Sequence, residues 1–364
     1  MSILIAVLND AELINNFGVK EWSLLKLEAK SANLVGPLFT YLKCKEKSIP
    51  EYVSWHFESS LIIANKQRRQ ALREIKDINL SLAAFKDVTF LKGAAYIIHH
   101  LDCSVGRLFS DIDLLVNKAE LAQVERALYF NGWLQTEVED YDEKYYREWM
   151  HEIPPMQHVS RGTVLDVHHN ILPKTNQLCL SPSLFEFEDV DLEDIGRIKT
   201  LSKNDMFIHC AVHLFTESEF HNGLRDLWDL HCMIIQFSKE KSCFIDDVYT
   251  RSCELGLESY VLLAFRYTNK VFFTPLNNDI RNVLDNERFI QKFCWDFAFL
   301  NIFKPDAKAC RTWKTPIATF LTYWRGHLIR MPLRLLAPHL MRKLWMQFRD
   351  ALDKTPKEEA QNLP

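Results

Sequence analysis

Residues 91–116, LKGAAYIIHHLDCSVGRLFSDIDLLV, constrain this chain more than any other stretch. The apolar run Val88-Thr89-Phe90-Leu91 breaks at Lys92-Gly93, gives way to helical spacing, and resumes as Ser110 to Val116. The order it predicts is strand, turn, helix, strand. Successive side chains of a strand alternate between faces, so Asp111 and Asp113 share one face while Ile112 and Leu114 occupy the other. Two ionised carboxylates about 5 Å apart repel by roughly 3 kcal/mol at an effective dielectric near 20. Such a pair needs a cation, an arginine or a raised pKa to persist. A hard divalent ion meets that need, because Mg²⁺ accepts carboxylate oxygens and shares its remaining positions with water and substrate phosphates.

Lys92-Gly93 followed by Arg107-Leu108-Phe109-Ser110-Asp111-Ile112-Asp113 resembles the nucleotidyltransferase fold of the DNA polymerase β superfamily, and most closely its uncharacterised bacterial nucleotidyltransferase branch. The resemblance covers roughly residues 20–235. It implies an α/β (α+β) fold: a small mixed sheet wrapped by helices, with a glycine turn at Lys92, Gly93 and Ala94 whose following helix holds a triphosphate. It further implies that the Asp-x-Asp pair binds two Mg²⁺ or Mn²⁺ ions and that a third aspartate arrives on a later strand. Asp166, alone among the apolar residues of Val164-Leu165-Asp166-Val167, suits that third role as metal ligand and as acceptor of a proton from the attacking hydroxyl. The reaction implied is in-line attack of a hydroxyl on the α-phosphate of an NTP, ATP being the first candidate, with release of pyrophosphate.

Two departures from the wider superfamily shape the expected contacts. Ala94 stands where Gly or Ser usually follows the glycine, so Ser110 is expected to contact phosphate, with Lys92 and Arg107 supplying charge. The 18 positions from Gly93 to Asp111 exceed the usual gap and agree with the uncharacterised branch. The acceptor stays open: a small-molecule hydroxyl first, a protein side chain or an RNA end second. A non-catalytic nucleotide-binding or assembly protein of the same fold is the reading from another class.

Other residues admit more than one reading. Arg107 equally suits an ion pair with Asp102 or Asp111. His168 shares a face with Asp166 and either orients that carboxylate, touches substrate or packs in the core. His209 and His213, at i, i+4, suit zinc, yet no metalloprotease glutamate or cysteine pattern joins them, so packing against the α/β core is preferred. Arg225 and Asp229 are expected to pair on a helix surface or, alternatively, to line the cleft. Walker A, G-x-G-x-x-G and H-E-x-x-H patterns are absent.

Patterning divides the chain into a helical N-terminal region (1–86), a nucleotidyltransferase core (87–200) and a helical C-terminal domain (201–364) with a basic aromatic tail. With 364 residues, 48% of them apolar, a sizeable core is affordable. Lys66 to Lys76 reads as a solvated helix face or, alternatively, a surface facing nucleic acid. Glu137 to Glu152, rich in acids and tyrosine, reads as a surface hairpin or a loop near the site; residues 186–199 read as an edge strand or hairpin, and Ser202 to Asp205 as a capping box. Nine cysteines without a C-x-x-C point to reduced thiols. No stretch reaches the roughly 18 apolar residues of a spanning helix, and the start lacks the basic region of a signal peptide. A cytoplasmic protein is expected.

Between Ala307 and Arg349 lie nine Lys or Arg and no Asp or Glu, so the rest of the chain carries −13 against −4 for the whole. Trp313, Tyr323, Trp324, Trp345 and Phe348 interleave with these charges. The tail either folds back on the acidic body or meets an anionic partner, RNA through phosphate contacts and stacking or a lipid surface.

Overall fold

The strands at the centre of the sheet are buried along most of their length, because apolar clusters cover both faces. In the computed structural model, which describes residues 2–136, 150–172, 175, 176, 178, 180–286 and 289–330 with positions 333, 334, 336, 341 and 345 beyond them, seven strands pair. They are β1 (Thr89–Leu91), β2 (Asp111–Leu115), β3 (Trp133–Gln135), β4 (Met156–His158), β5 (Val164–His168), β6 (Phe187–Leu192) and β7 (Gly196–Leu201). Their order is β3-β4-β5-β2-β1-β7-β6. The sheet is mixed: β2 runs parallel to β5 and antiparallel to β1, while β1 runs parallel to β7.

Thirteen α-helices among the described residues surround it. Before the sheet come α1 (Ile3–Asn9), α2 (Val19–Ser31), α3 (Val35–Cys44) and α4 (Glu51–Ser81); α5 (Lys92–Ile98) and α6 (Leu121–Phe130) are interleaved with the strands. After it come α7 (Lys203–Thr216), α8 (Gly223–Glu240), α9 (Phe244–Glu254), α10 (Glu258–Phe272), α11 (Asn278–Asp285), α12 (Phe289–Ile302) and α13 (Lys314–Arg330).

Two apolar clusters follow from this layering. Ile112 and Leu114 of β2, with Leu165 and Val167 of β5, pack against Ile75 and Ile78 of α4, Ile98 of α5 and Val124 and Leu128 of α6. On the other side, Leu115 and Leu201 join a larger cluster in which Trp22, Leu38 and Phe57 from the N-terminal helices meet Phe207, Phe215 and Phe265 from the C-terminal ones. The helices before and after the sheet thus share a core. Backbones meet directly where Gly36 of α3 faces Gly106, whose φ is +74°. A Cβ on Gly36 would stand 2.1 Å from the Gly106 carbonyl oxygen, so neither position accepts a side chain.

Several local expectations are refined. Residues 187–201 form the hairpin β6–β7, with β6 at the sheet edge. The three-residue strands β3 and β4 are too short to show a period, and the alternation test does not reach them. Ser202 accepts from the Asp205 amide at 3.3 Å, but the Asp205 carboxylate binds the Glu186 amide and Arg251, so only half of the expected capping box forms. Most of Glu137 to Glu152 lies outside the described residues.

In the described part of the basic tail, Arg325 packs over the rings of Trp295 and Phe299 and donates to the Phe215 carbonyl, and Arg330 donates to the Thr216 carbonyl. Those two cations fold back on the body. The eight described cysteines are free thiols. No helix among the described residues is long and apolar enough to cross a membrane.

Candidate active site

Strand register brings the three aspartates together. Asp113 lies directly opposite Asp166 across the parallel pair β2–β5, and Asp111 sits two residues earlier beside Val164. Neighbouring strands run about 4.8 Å apart, so all three carboxylates rise from one face. They line a cleft of about 350 Å³ together with Lys92, Gly93, Arg107, Ser110 and Glu152. The opposite wall is the end of α7 and the start of α8, including His213, Glu217, Asn222, Arg225 and Asp226.

The carboxylates differ in how they are satisfied. Asp113 is 3% exposed, and its Oδ1 accepts from Lys92 Nζ at 2.7 Å and from His168 Nε2 at 3.0 Å. Burial opposes its charge, but Lys92 and His168 override that and hold its pKa well below the usual carboxylate range. Lys92 is likewise opposed by burial and raised by Asp113, so it stays an ammonium. Asp111 accepts from the Ser110 hydroxyl at 2.7 Å. Asp166 Oδ1 is buried and has no hydrogen-bond partner among the described residues. Burial first, then the charges of Asp113 and Glu152, push its pKa up to about 7.

An orphaned carboxylate oxygen in register with a second carboxylate fits a divalent ion, since buried polar atoms are rarely left unpaired. The all-oxygen donor set is the one Mg²⁺ takes.

Lys92 occupies the strand-to-helix junction with φ +43°, a left-handed conformation uncommon outside glycine. Gly93 is required for a different reason: a Cβ there would meet the Phe109 ring at 3.0 Å and Arg107 Nη1 at 3.4 Å. Ala94 does not line the cleft; its side chain packs in the cluster beneath the sheet. His168 is buried and sits between Asp113 and Glu152, with Nδ1 3.3 Å from Glu152 Oε2. Burial works against its charge, but the bond to Asp113 and the Glu152 carboxylate raise its pKa.

Arg107 pairs with neither Asp102 nor Asp111. Its Nε donates to Asp229 at 3.0 Å, Asp226 lies 4.0 Å away, and its guanidinium stacks over Tyr96 and Phe109. The expected Arg225–Asp229 surface pair is therefore replaced. Asp229 is 2% exposed on the inner face of α8, and Arg225 turns to Asp226 at 2.8 Å. The Lys66–Lys76 stretch is also more than a solvated face. Gln67 Oε1 accepts from the Phe109 amide at 3.0 Å and Arg68 donates to the Ser104 hydroxyl at 2.7 Å, so α4 braces the loop that delivers β2.

His209 is buried, and its pKa is pushed down to about 3 by burial and then by Lys92. His213 faces Glu217 at 3.5 Å. Among the described residues these two histidines gather no third ligand; the group with metal-compatible spacing is His151, Glu152 and His168. Sequence reasoning missed His151 and Glu152 because they sit in a loop without period. The only signal was that loop's acidity.

A family profile described as uncharacterised nucleotidyltransferase matches residues 19–273, a span that holds every residue of the cleft. No curated protein and no solved structure matches the chain.

Proposed function

The chain belongs to the uncharacterised nucleotidyltransferase family, and from that premise we propose that it transfers a nucleoside monophosphate from an NTP, ATP first, to a hydroxyl of a small-molecule acceptor. The observation that carries this reading is Asp166: a buried, unpartnered carboxylate oxygen in register with Asp113 and on the face of Asp111. Asp111, Asp113 and Asp166 would hold Mg²⁺ or Mn²⁺, which supplies charge neutralisation for the triphosphate and acidity for the acceptor hydroxyl.

The chain's own groups do the rest. The acceptor oxygen attacks the α-phosphorus, the bond to the β-phosphate oxygen breaks, and pyrophosphate leaves with the electron pair. Asp166 takes the hydroxyl proton. Lys92 and Ser110 offer an ammonium and a hydroxyl to phosphate oxygens at the cleft mouth. Arg107, bound to Asp229, keeps Gly93 and Phe109 in place. Positioning and electrostatics supply the rate, as phosphoryl-type transfer requires. Free thiols throughout the described chain agree with a cytoplasmic protein.

The test is incubation with α-labelled NTPs and a cell extract, followed by mass analysis of whatever gains a nucleotide. Labelled product and pyrophosphate that require Mg²⁺ and vanish in Asp111→Ala, Asp113→Ala and Asp166→Ala support the proposal. Labelling that survives all three substitutions sinks it, and nucleotide binding without transfer favours a non-catalytic binding protein.

A further inference from the structure

We infer that His151, Glu152 and His168 form a separate site for a first-row transition-metal ion such as Zn²⁺, beside the three aspartates. One donor atom from each of these side chains lies within 4.8 Å of the other two. The imidazoles of His151 and His168 stack with centroids 5.2 Å apart, and Glu152 Oε2 is 3.3 Å from His168 Nδ1. His151 Nδ1 is buried with no hydrogen-bond partner among the described residues.

Two features prepare the group for an ion. His168 Nε2 is engaged by Asp113 Oδ1 at 3.0 Å, which leaves the Nδ1 lone pair toward Glu152. A metal-bound imidazole that gives its other N–H to a carboxylate is the usual outer-shell arrangement, and it fixes both tautomer and ring. The backbone also pins the loop to β5. His151 O accepts from the His169 amide at 2.7 Å, the Ile153 amide donates to Val167 O at 3.1 Å, and Glu152 bridges His168. An imidazolium of His168 bridging Asp113 and Glu152 would satisfy those two carboxylates but leave His151 Nδ1 orphaned. A shared cation satisfies all three donors.

Donor chemistry separates this site from the aspartates. Two imidazoles and one carboxylate suit Zn²⁺, Mn²⁺ or Fe²⁺, whereas an all-carboxylate set suits Mg²⁺. An ion at His168 holds that ring against Asp113 and so positions the carboxylate from behind. The inference concerns binding alone and does not depend on nucleotidyl transfer.

The full chain, stripped with EDTA, is titrated with Co²⁺ in a large excess of Mg²⁺. One equivalent should bind with a visible d–d band and yield to Zn²⁺. His151→Ala and Glu152→Gln should each weaken it by more than about 100-fold, beyond what loss of an outer-shell partner costs, while Asp111→Asn retains it. On the unsubstituted chain, pulsed EPR of bound Mn²⁺ should show nitrogen coupling, which the aspartates cannot give. Absence of tight Co²⁺ binding, or binding unchanged from the parent in both substituted chains, overturns the inference.

Discussion

Asp113 and Asp166 face each other across β2 and β5, yet the two strands treat the same side chain in opposite ways. On β2 the carboxylate accepts from both Lys92 and His168 through Oδ1 and stays ionised. On β5 its twin has a bare buried oxygen and is protonated up to about pH 7. One carboxylate has its Oδ1 balanced by the protein itself. The other is arranged so that something from outside completes it, which is how a site reserves capacity for an ion or a proton.

The largest effect that probes this contrast is on transfer. Asp113→Asn and Asp166→Asn should each lower nucleotidyl transfer by at least about 10³-fold, comparable to losing a major electrostatic contributor, in assays of pyrophosphate release. A chain that keeps activity without Asp166 would erase the functional distinction between the strands.

Next in size is stability. Lys92→Met leaves Asp113 buried with His168 alone, and urea denaturation should show a loss of roughly 3 kcal/mol, as for a broken buried pair. Asp166→Asn should act with the opposite sign. Because the folded pKa lies near 7, above the unfolded carboxylate value, the ionised group disfavours the fold; that penalty is absent below about pH 4, grows through the interval and is complete above pH 7. Thermal melts of Asp166→Asn should therefore exceed the parent by a few degrees at pH 8 and match it near pH 4. A loss at pH 8 would mean that Asp166 already has a partner.

The smallest effect belongs to Arg225 on α8. Arg225→Ala should cost no more than about 1 kcal/mol, since among the described residues its hydrogen bonds go to Asp226 at the cleft. Asp229→Ala, which strands the buried Arg107, should cost several times that by the same denaturation assay.

The acid cluster was legible because its cues are local. Alternation puts Asp111 and Asp113 on one face, and Asp166 is conspicuous among apolar neighbours. Their meeting depended on β2–β5 pairing, which only the family resemblance supplied. Asp229 was misplaced for a physical reason: spacing of i, i+4 shows that two residues share a helix face but not whether that face is buried. The carboxylate partners of Arg107 lie more than a hundred residues away and those of Gln67 in an irregular loop, where no period operates. Glu152 was hidden in the same way, its place fixed by a backbone bridge to β5.

The bare contact between Gly36 and Gly106 ties this chemistry to the first helices of the chain. Even a methyl group at either glycine would wedge α3 away from the segment entering β2 and tilt Asp111 and Asp113 without touching them. The N-terminal helices are in this sense a tuning peg for the acidic strand.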